Sequence, residues 1–150
     1  MGAVAVKVTL RVRRASSRKD LERVFAIRTL VFVKEQGVPP EIERDPDDKR
    51  AFHSLAFDSG KAVGTARLVM HHRSAKIGRM AVLKSHRRKG IGTKLLRRAI
   101  VTARKRGALK IYLHAQVPVI GFYEAVGFRC VGAVFREAGI PHRKMILTVC

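Results

Sequence analysis

The sequence has 150 residues, a length that accommodates one domain with a substantial buried core. Apolar residues make up 47% of it, which excludes a disordered composition, and no apolar run approaches the roughly 20 residues of a membrane-spanning helix. The net charge of +21 predicts attraction to polyanions at low salt.

The apolar N-terminus is interrupted by Lys7, Arg11, Arg13 and Arg14, so it reads as a strand and not as a secretory signal. Met1-Gly2 lacks the Ser or Thr at position 6 that N-myristoylation wants, because Val6 stands there. Cys130 and Cys150 offer neither a disulfide framework nor zinc spacing, so no metal is expected and the cytoplasm is the default location. Charge is unevenly placed. Ten cations and no acid lie between Lys84 and Arg106, whereas six acids and one cation lie between Glu35 and Asp48. That separation predicts one pole for an anion and another for a cation.

Val4, Val6, Val8, Leu10 and Val12 alternate with small or polar residues, the period of a half-buried strand. Ser17 and Asp20 resemble a capping box, and the first helix is expected from Arg18 to Glu35, ending before Gly37 and Pro39-Pro40. An acidic loop, Glu41 to Lys49, follows. Phe52 to Phe57 and Ala62 to Met70 read as strands joined by a turn at Asp58-Ser59-Gly60, and Ile77 to Leu83 as another strand. Ile91, Leu95, Leu96, Ala99, Ile100 and Ala103 mark one face of a helix that Gly107 ends. Leu109 to Ala115 is a strand, Val119 to Val126 a short helix behind Pro118, and Phe128 to Phe135 and Lys144 to Val149 are the closing strands. The order predicts a mixed α/β domain, one over residues 1–150, with helices on both faces of a single sheet.

Two tracts carry chemistry. Arg87-Arg88-Lys89-Gly90-Ile91-Gly92 lies between a strand and a helix, where glycines admit a ligand and unpaired first-turn N–H groups face outward. With the helix dipole and three cations, this makes a diphosphate cradle. It is neither a P-loop nor a dinucleotide fingerprint. The second tract is Gly121-Phe122-Tyr123-Glu124-Ala125-Val126-Gly127-Phe128.

Together these tracts, separated by one amphipathic helix and one strand, resemble the GNAT superfamily of N-acetyltransferases. Four further tracts are similar to its ElaA/YjcF-like subgroup: Phe32-Val33-Lys34-Glu35-Gln36, Gly64-Thr65-Ala66-Arg67-Leu68, Leu113-His114-Ala115-Gln116 and Gly139-Ile140-Pro141-His142. Val119, where the family more often has Ala, and the extreme basicity depart from the pattern.

The resemblance implies splayed fourth and fifth strands with acetyl-CoA, the acetyl donor, between them. Main-chain groups of Met80, Ala81 and Val82 would pair with the pantetheine arm, and those from Arg88 to Thr93 would hold the diphosphate. Gln116 and Phe122 would lie along the cofactor. Tyr123 stands where relatives place a general acid. The nucleophile is an amine that must lose a proton. The fourth-strand Glu that relatives often use as base is absent, which leaves Glu35 and His114 as candidates, with His53 behind them. Direct transfer in a ternary complex is expected; Cys130 is the covalent alternative, without a matching base. The acidic segment Glu41 to Asp48 favours a cationic amine, on a small molecule or a protein. The resemblance also admits a homodimer. Two alternatives remain at this point: a basic nucleic-acid- or ribosome-binding module, and a GNAT domain that binds acyl-CoA without transferring it. No exposed run of aromatics accompanies the cations, which argues against base stacking.

Overall fold

The computed structural model describes residues 9–148, so Val4 to Val8 of the expected first strand, and Cys150, lie outside the described residues. The described residues form seven strands: β1 (Leu10–Arg14), β2 (Phe52–Asp58), β3 (Lys61–His71), β4 (Ser74–Val82), β5 (Lys110–Gln116), β6 (Arg129–Glu137) and β7 (Ile140–Thr148). They form one sheet in the order β1-β2-β3-β4-β5-β7-β6. Every neighbouring pair is antiparallel except β4 and β5, which run parallel.

Helix α1 (Arg18–Arg28) begins as its sequence predicts. The Ser17 hydroxyl accepts the Asp20 N–H at 3.0 Å, and Asp20 in turn accepts the Ser16 N–H. The helix does not run on to Glu35 as an α-helix. It widens at Thr29–Glu35 into a π-helix, in which the Gln36 N–H reaches back to the Val31 carbonyl. The acidic segment is not a bare loop either: it folds into α2 (Pro40–Glu43) and a 3₁₀ turn at Pro46–Lys49. Helix α3 (Ile91–Lys105) buries the six apolar residues that its period singles out, and α4 (Ile120–Glu124) is shorter than its hydrophobic run.

The sheet separates two cores. Successive strand residues point to opposite faces, and β2 does this literally: Leu55 packs with Val24 and Ile27 of α1, and Ala56 packs with Ile91 and Leu95 of α3. Helices therefore cover both faces. On the α3 side Gly64 permits contact, since a Cβ there would lie 3.0 Å from Leu95 and 3.3 Å from Ile91.

The charge segregation of the sequence does not survive folding as an open anionic pole. Arg28, 1% exposed, donates to both carboxylate oxygens of Glu43 at 2.6 and 2.9 Å and to Asp48 at 2.7 Å. Arg67 donates to Asp45 at 2.7 Å and Asp48 at 3.0 Å, and Arg79 to Asp45 at 3.2 Å. Three arginines thus match the three acids Glu43, Asp45 and Asp48. The network fastens the acidic segment onto β3, β4 and α1. Of the segment's other two acids, Asp47 pairs with Arg50, and Glu41 is exposed without an ion pair among the described residues.

Candidate active site

The site begins where β4 and β5 part. Their pairing runs from Ser74 opposite Lys110 to Ile77 opposite Leu113 and stops there, although β4 continues to Val82 and β5 to Gln116. The cause is local. Thr65 pairs with Ala81 and Arg67 with Gly78, so three β4 steps oppose two on β3: a bulge directly after the last paired residue. Arg79 within it has φ +49°, a left-handed conformation that costs a non-glycine residue about 1–3 kcal/mol. Its guanidinium is held in compensation by the Glu43 carbonyl at 3.0 Å and by Asp45. The bulge turns β4 away, leaving the main chain beyond Gly78 without a neighbour on the β5 side.

A cavity of about 900 Å³ opens in this fork. Met80, Ala81 and Val82 line one wall, and His114, Gln116, Phe122 and Tyr123 the other. Arg88, Gly90, Ile91, Gly92 and Thr93 line one end at the start of α3. Arg88 and Gly90 adopt left-handed φ of +63° and +79°, which points successive N–H groups the same way, and no side chain caps the helix. Gly92 admits the Phe122 ring, which a Cβ there would meet at 3.3 Å. These are donors without acceptors at a positive helix end, suited to a diphosphate.

Glu35 is placed elsewhere. It does not line the cavity, and Arg87 holds it in a two-pronged pair, with Nη2 at 2.7 Å from Oε1. That guanidinium keeps the Glu35 carboxyl below its ordinary range. Next to it, Gln36 accepts a hydrogen bond from Gln116 at 2.9 Å, so the two residues tie the π-helix to opposite sides of the fork. Lys89 is likewise absent from the cavity wall. His53 is buried at 3% exposure, bonded through Nε2 to the Asp48 carbonyl and packed edge-on to Phe25. Cys130 lies on β6 against the α3-side core, also outside the cavity wall.

His114 is the first residue of β5 past the fork. Its Nδ1 lies 3.0 Å from Oε1 of Glu137, the last residue of β6. His142 of β7 lies 3.7 Å from the other Glu137 oxygen and binds the Ile140 carbonyl through Nδ1 at 2.6 Å. The Phe135 ring fits between the imidazoles, edge-on to His114 at 4.9 Å and stacked on His142 at 6.0 Å. Ala138 and Gly139, at φ +50° and +74°, make the two-residue turn that returns β6 into β7 and sets Glu137 over β5. The His114 contact holds the Glu137 carboxyl down at about 2, so it stays an anion and accepts the Nδ1 proton. In the neutral ring this contact favours the tautomer with the lone pair on His114 Nε2.

The sequence reading missed Glu137 and His142. The tract Gly139 to His142 contributed to the family resemblance without a chemical role, and only the hairpin brings Glu137 beside His114. Tyr123, half-buried, has the Met80 sulfur at 3.8 Å as its hydroxyl's partner. Desolvation pushes its hydroxyl up to about 12, so it keeps its proton.

A forked mixed sheet with an uncapped glycine-rich helix start at the open end defines an acyl-CoA-dependent acyltransferase architecture. Comparison with known proteins narrows this. The acetyltransferase (GNAT) domain family matches residues 18–149. Bacillus subtilis N-acetyltransferase YjcF is 37% identical over 133 residues, covering 88% of this chain and 95% of that protein. The crystal structure of Escherichia coli ElaA superposes with a TM-score of 0.80 at 27% identity, covering 93% of this chain and 98% of that one. An acyl-CoA N-acyltransferase from Pseudomonas aeruginosa gives 0.79 at 30% identity, covering 93% and 99%. The chain belongs to the GNAT acetyltransferase family and is an acetyl-CoA-dependent N-acetyltransferase.

Proposed function

We propose that the protein transfers acetyl directly to a primary amine within a ternary complex, with His114 as general base and Tyr123 as general acid. The observation that carries this is the His114–Glu137 pair at the fork: a histidine on the cavity wall whose Nδ1 lies 3.0 Å from a carboxylate oxygen, which leaves Nε2 to take a proton.

The groups that would hold acetyl-CoA are the main-chain N–H groups from Arg88 to Thr93 for the diphosphate and those of Met80 to Val82 for the pantetheine arm. Bound acetyl-CoA supplies an activated thioester. His114 Nε2 takes a proton from the attacking amine as its nitrogen bonds to the carbonyl carbon. A main-chain N–H near Val82 donates to the oxygen as it gains charge. When the carbon–sulfur bond breaks, the Tyr123 hydroxyl donates to the sulfur. The products are an amide and a thiol, and solvent restores both side chains.

Direct transfer is supported by the position of Cys130 outside the cavity wall. With Glu43, Asp45 and Asp48 neutralised, the acceptor amine is recognised by shape and by the apolar walls at Val38, Ile42 and Ile140 more than by excess negative charge. The test is initial-velocity kinetics across a panel of amines, read by thiol release. Intersecting patterns are expected. Parallel patterns, or radiolabelled acetyl that survives denaturation on the protein, would refute direct transfer.

A further inference from the structure

The edge of the sheet opposite the cavity mouth collects cations that the acetyltransferase site does not use. Arg14 ends β1, Arg73 sits in the β3–β4 turn, Lys110 begins β5, and Arg104, Lys105 and Arg106 end α3. Hydrogen bonding brings these elements to one edge: the Leu109 N–H donates to the Arg73 carbonyl at 2.7 Å, Ser74 pairs with Lys110, and Arg14 pairs with Ser54. All six side chains are exposed, and none makes an ion pair among the described residues.

Two of them share one aromatic ring. The Arg14 guanidinium lies 4.8 Å from the Phe52 centroid and the Arg106 guanidinium 4.4 Å from the same centroid. The ring attracts each cation but cancels neither charge. Among the described residues no carboxylate forms an ion pair with Arg14 or Arg106. Asp20 is buried beneath Arg13 and Arg23, and Asp47 pairs with Arg50. Around Arg28 and Arg67 the fold matches arginines with carboxylates. Here it stacks like charges and leaves them open to solvent.

We infer that this edge binds the phosphate backbone of a nucleic-acid duplex while the opposite edge binds acetyl-CoA. Guanidinium groups, which form four of the six, pair with phosphate oxygens through two parallel hydrogen bonds. The cations run from β1 to β5, five strands about 4.8 Å apart that span about 19 Å, over half of one turn of a duplex. Recognition is by phosphate and shape without base reading, because the large apolar side chains exposed among the described residues are all aliphatic, leaving no ring for a base to stack on. A membrane surface fits less well, since Leu109 is the large apolar side chain exposed at this edge. The two ligands do not collide. The cradle at the start of α3 and the basic end of α3 are separated by a 15-residue helix, about 22 Å.

The test measures fluorescence anisotropy of labelled 20-base-pair RNA and DNA duplexes against salt, for the full chain and for the triple variant Arg14→Gln, Arg106→Gln, Lys110→Gln. Expected is binding to at least one duplex with a steep negative salt slope that saturating acetyl-CoA leaves unchanged. The triple variant should flatten that slope by about 3, one for each cation removed, with acetyl-CoA affinity intact. If it does not fold, Arg73→Gln with Lys110→Gln, both in exposed turns and strand ends, should flatten it by about 2. Neither duplex binding, acetyl-CoA displacing the duplex, or folded variants that bind like the parent would each overturn the inference. Because acetyl-CoA affinity is read separately, failure here leaves the acetyltransferase reading intact.

Discussion

Replacing Glu137 with Gln tests the proposed base without touching it. In the parent, Oε1 accepts from His114 Nδ1 at 3.0 Å, which in the neutral ring favours the lone pair on Nε2. A glutamine can present its NH₂ to Nδ1 instead, which moves the lone pair to Nδ1 and leaves a proton on Nε2, where the amine proton must go. General-base catalysis contributes about 10²–10⁴-fold, so kcat/KM should fall by at least about 30-fold and at most by the loss seen for His114→Gln. Acetyl-CoA affinity, read by calorimetry, should stay within about twofold, because Glu137 is not among the groups proposed to hold acetyl-CoA. The double variant should be no worse than His114→Gln alone, since both changes remove one function. Glu137 ionises at about 2, far below any assay, so its own titration puts no limb in a kcat/KM profile taken near neutral pH. Full activity in Glu137→Gln, or losses that multiply in the double variant, would refute the pairing.

Tyr123→Phe removes the donor to the leaving sulfur; turnover should fall by about 10²-fold or more while acetyl-CoA affinity changes little, and an equal loss in both would instead mark Tyr123 as a binding residue. Glu35→Gln should keep turnover within about threefold while weakening the hold on Arg87, and a collapse of the rate would restore Glu35 as a base. Arg28→Met strands the buried Glu43 carboxylate and leaves Asp48 to Arg67 alone, so urea unfolding should show a loss of about 3–5 kcal/mol, and a loss under 1 kcal/mol would mean the network matters little. Acid should destabilise the fold in two stages. Burial holds His53 below its ordinary value, so the stability it contributes is present above the unfolded histidine range and is lost as pH falls through its depressed folded value. Asp48, lowered to about 2 despite its burial, and Glu137 contribute stability above the unfolded carboxylate range, lost as pH falls from about 4 toward 2. Thermal melts from pH 8 to pH 2 should show both declines.

Local pattern alone determined much of this protein. Residue type, turn signals and hydropathy period placed part of each of the seven strands and the buried face of α3, because these are set by local backbone geometry, but they began β4 at Ile77 instead of Ser74 and β7 at Lys144 instead of Ile140. The glycine-rich start of α3 was legible for the same reason: positive φ at Gly90 and an uncapped first turn are properties of a short stretch of chain. Tertiary structure decided what depends on residues far apart in sequence. The π-helix at Thr29–Glu35 has no periodic signature distinct from an α-helix. The acidic segment looked like an open anionic surface until Arg28, Arg67 and Arg79 arrived from three different elements to neutralise it. Glu35 was a candidate base on sequence, but the fold gave it to Arg87, 52 residues away. Glu137 had no local mark at all. It meets His114 only because a two-residue hairpin returns β6 alongside β7, and because β7 rather than β6 pairs with β5, a choice made by long-range strand pairing and by nothing in either tract.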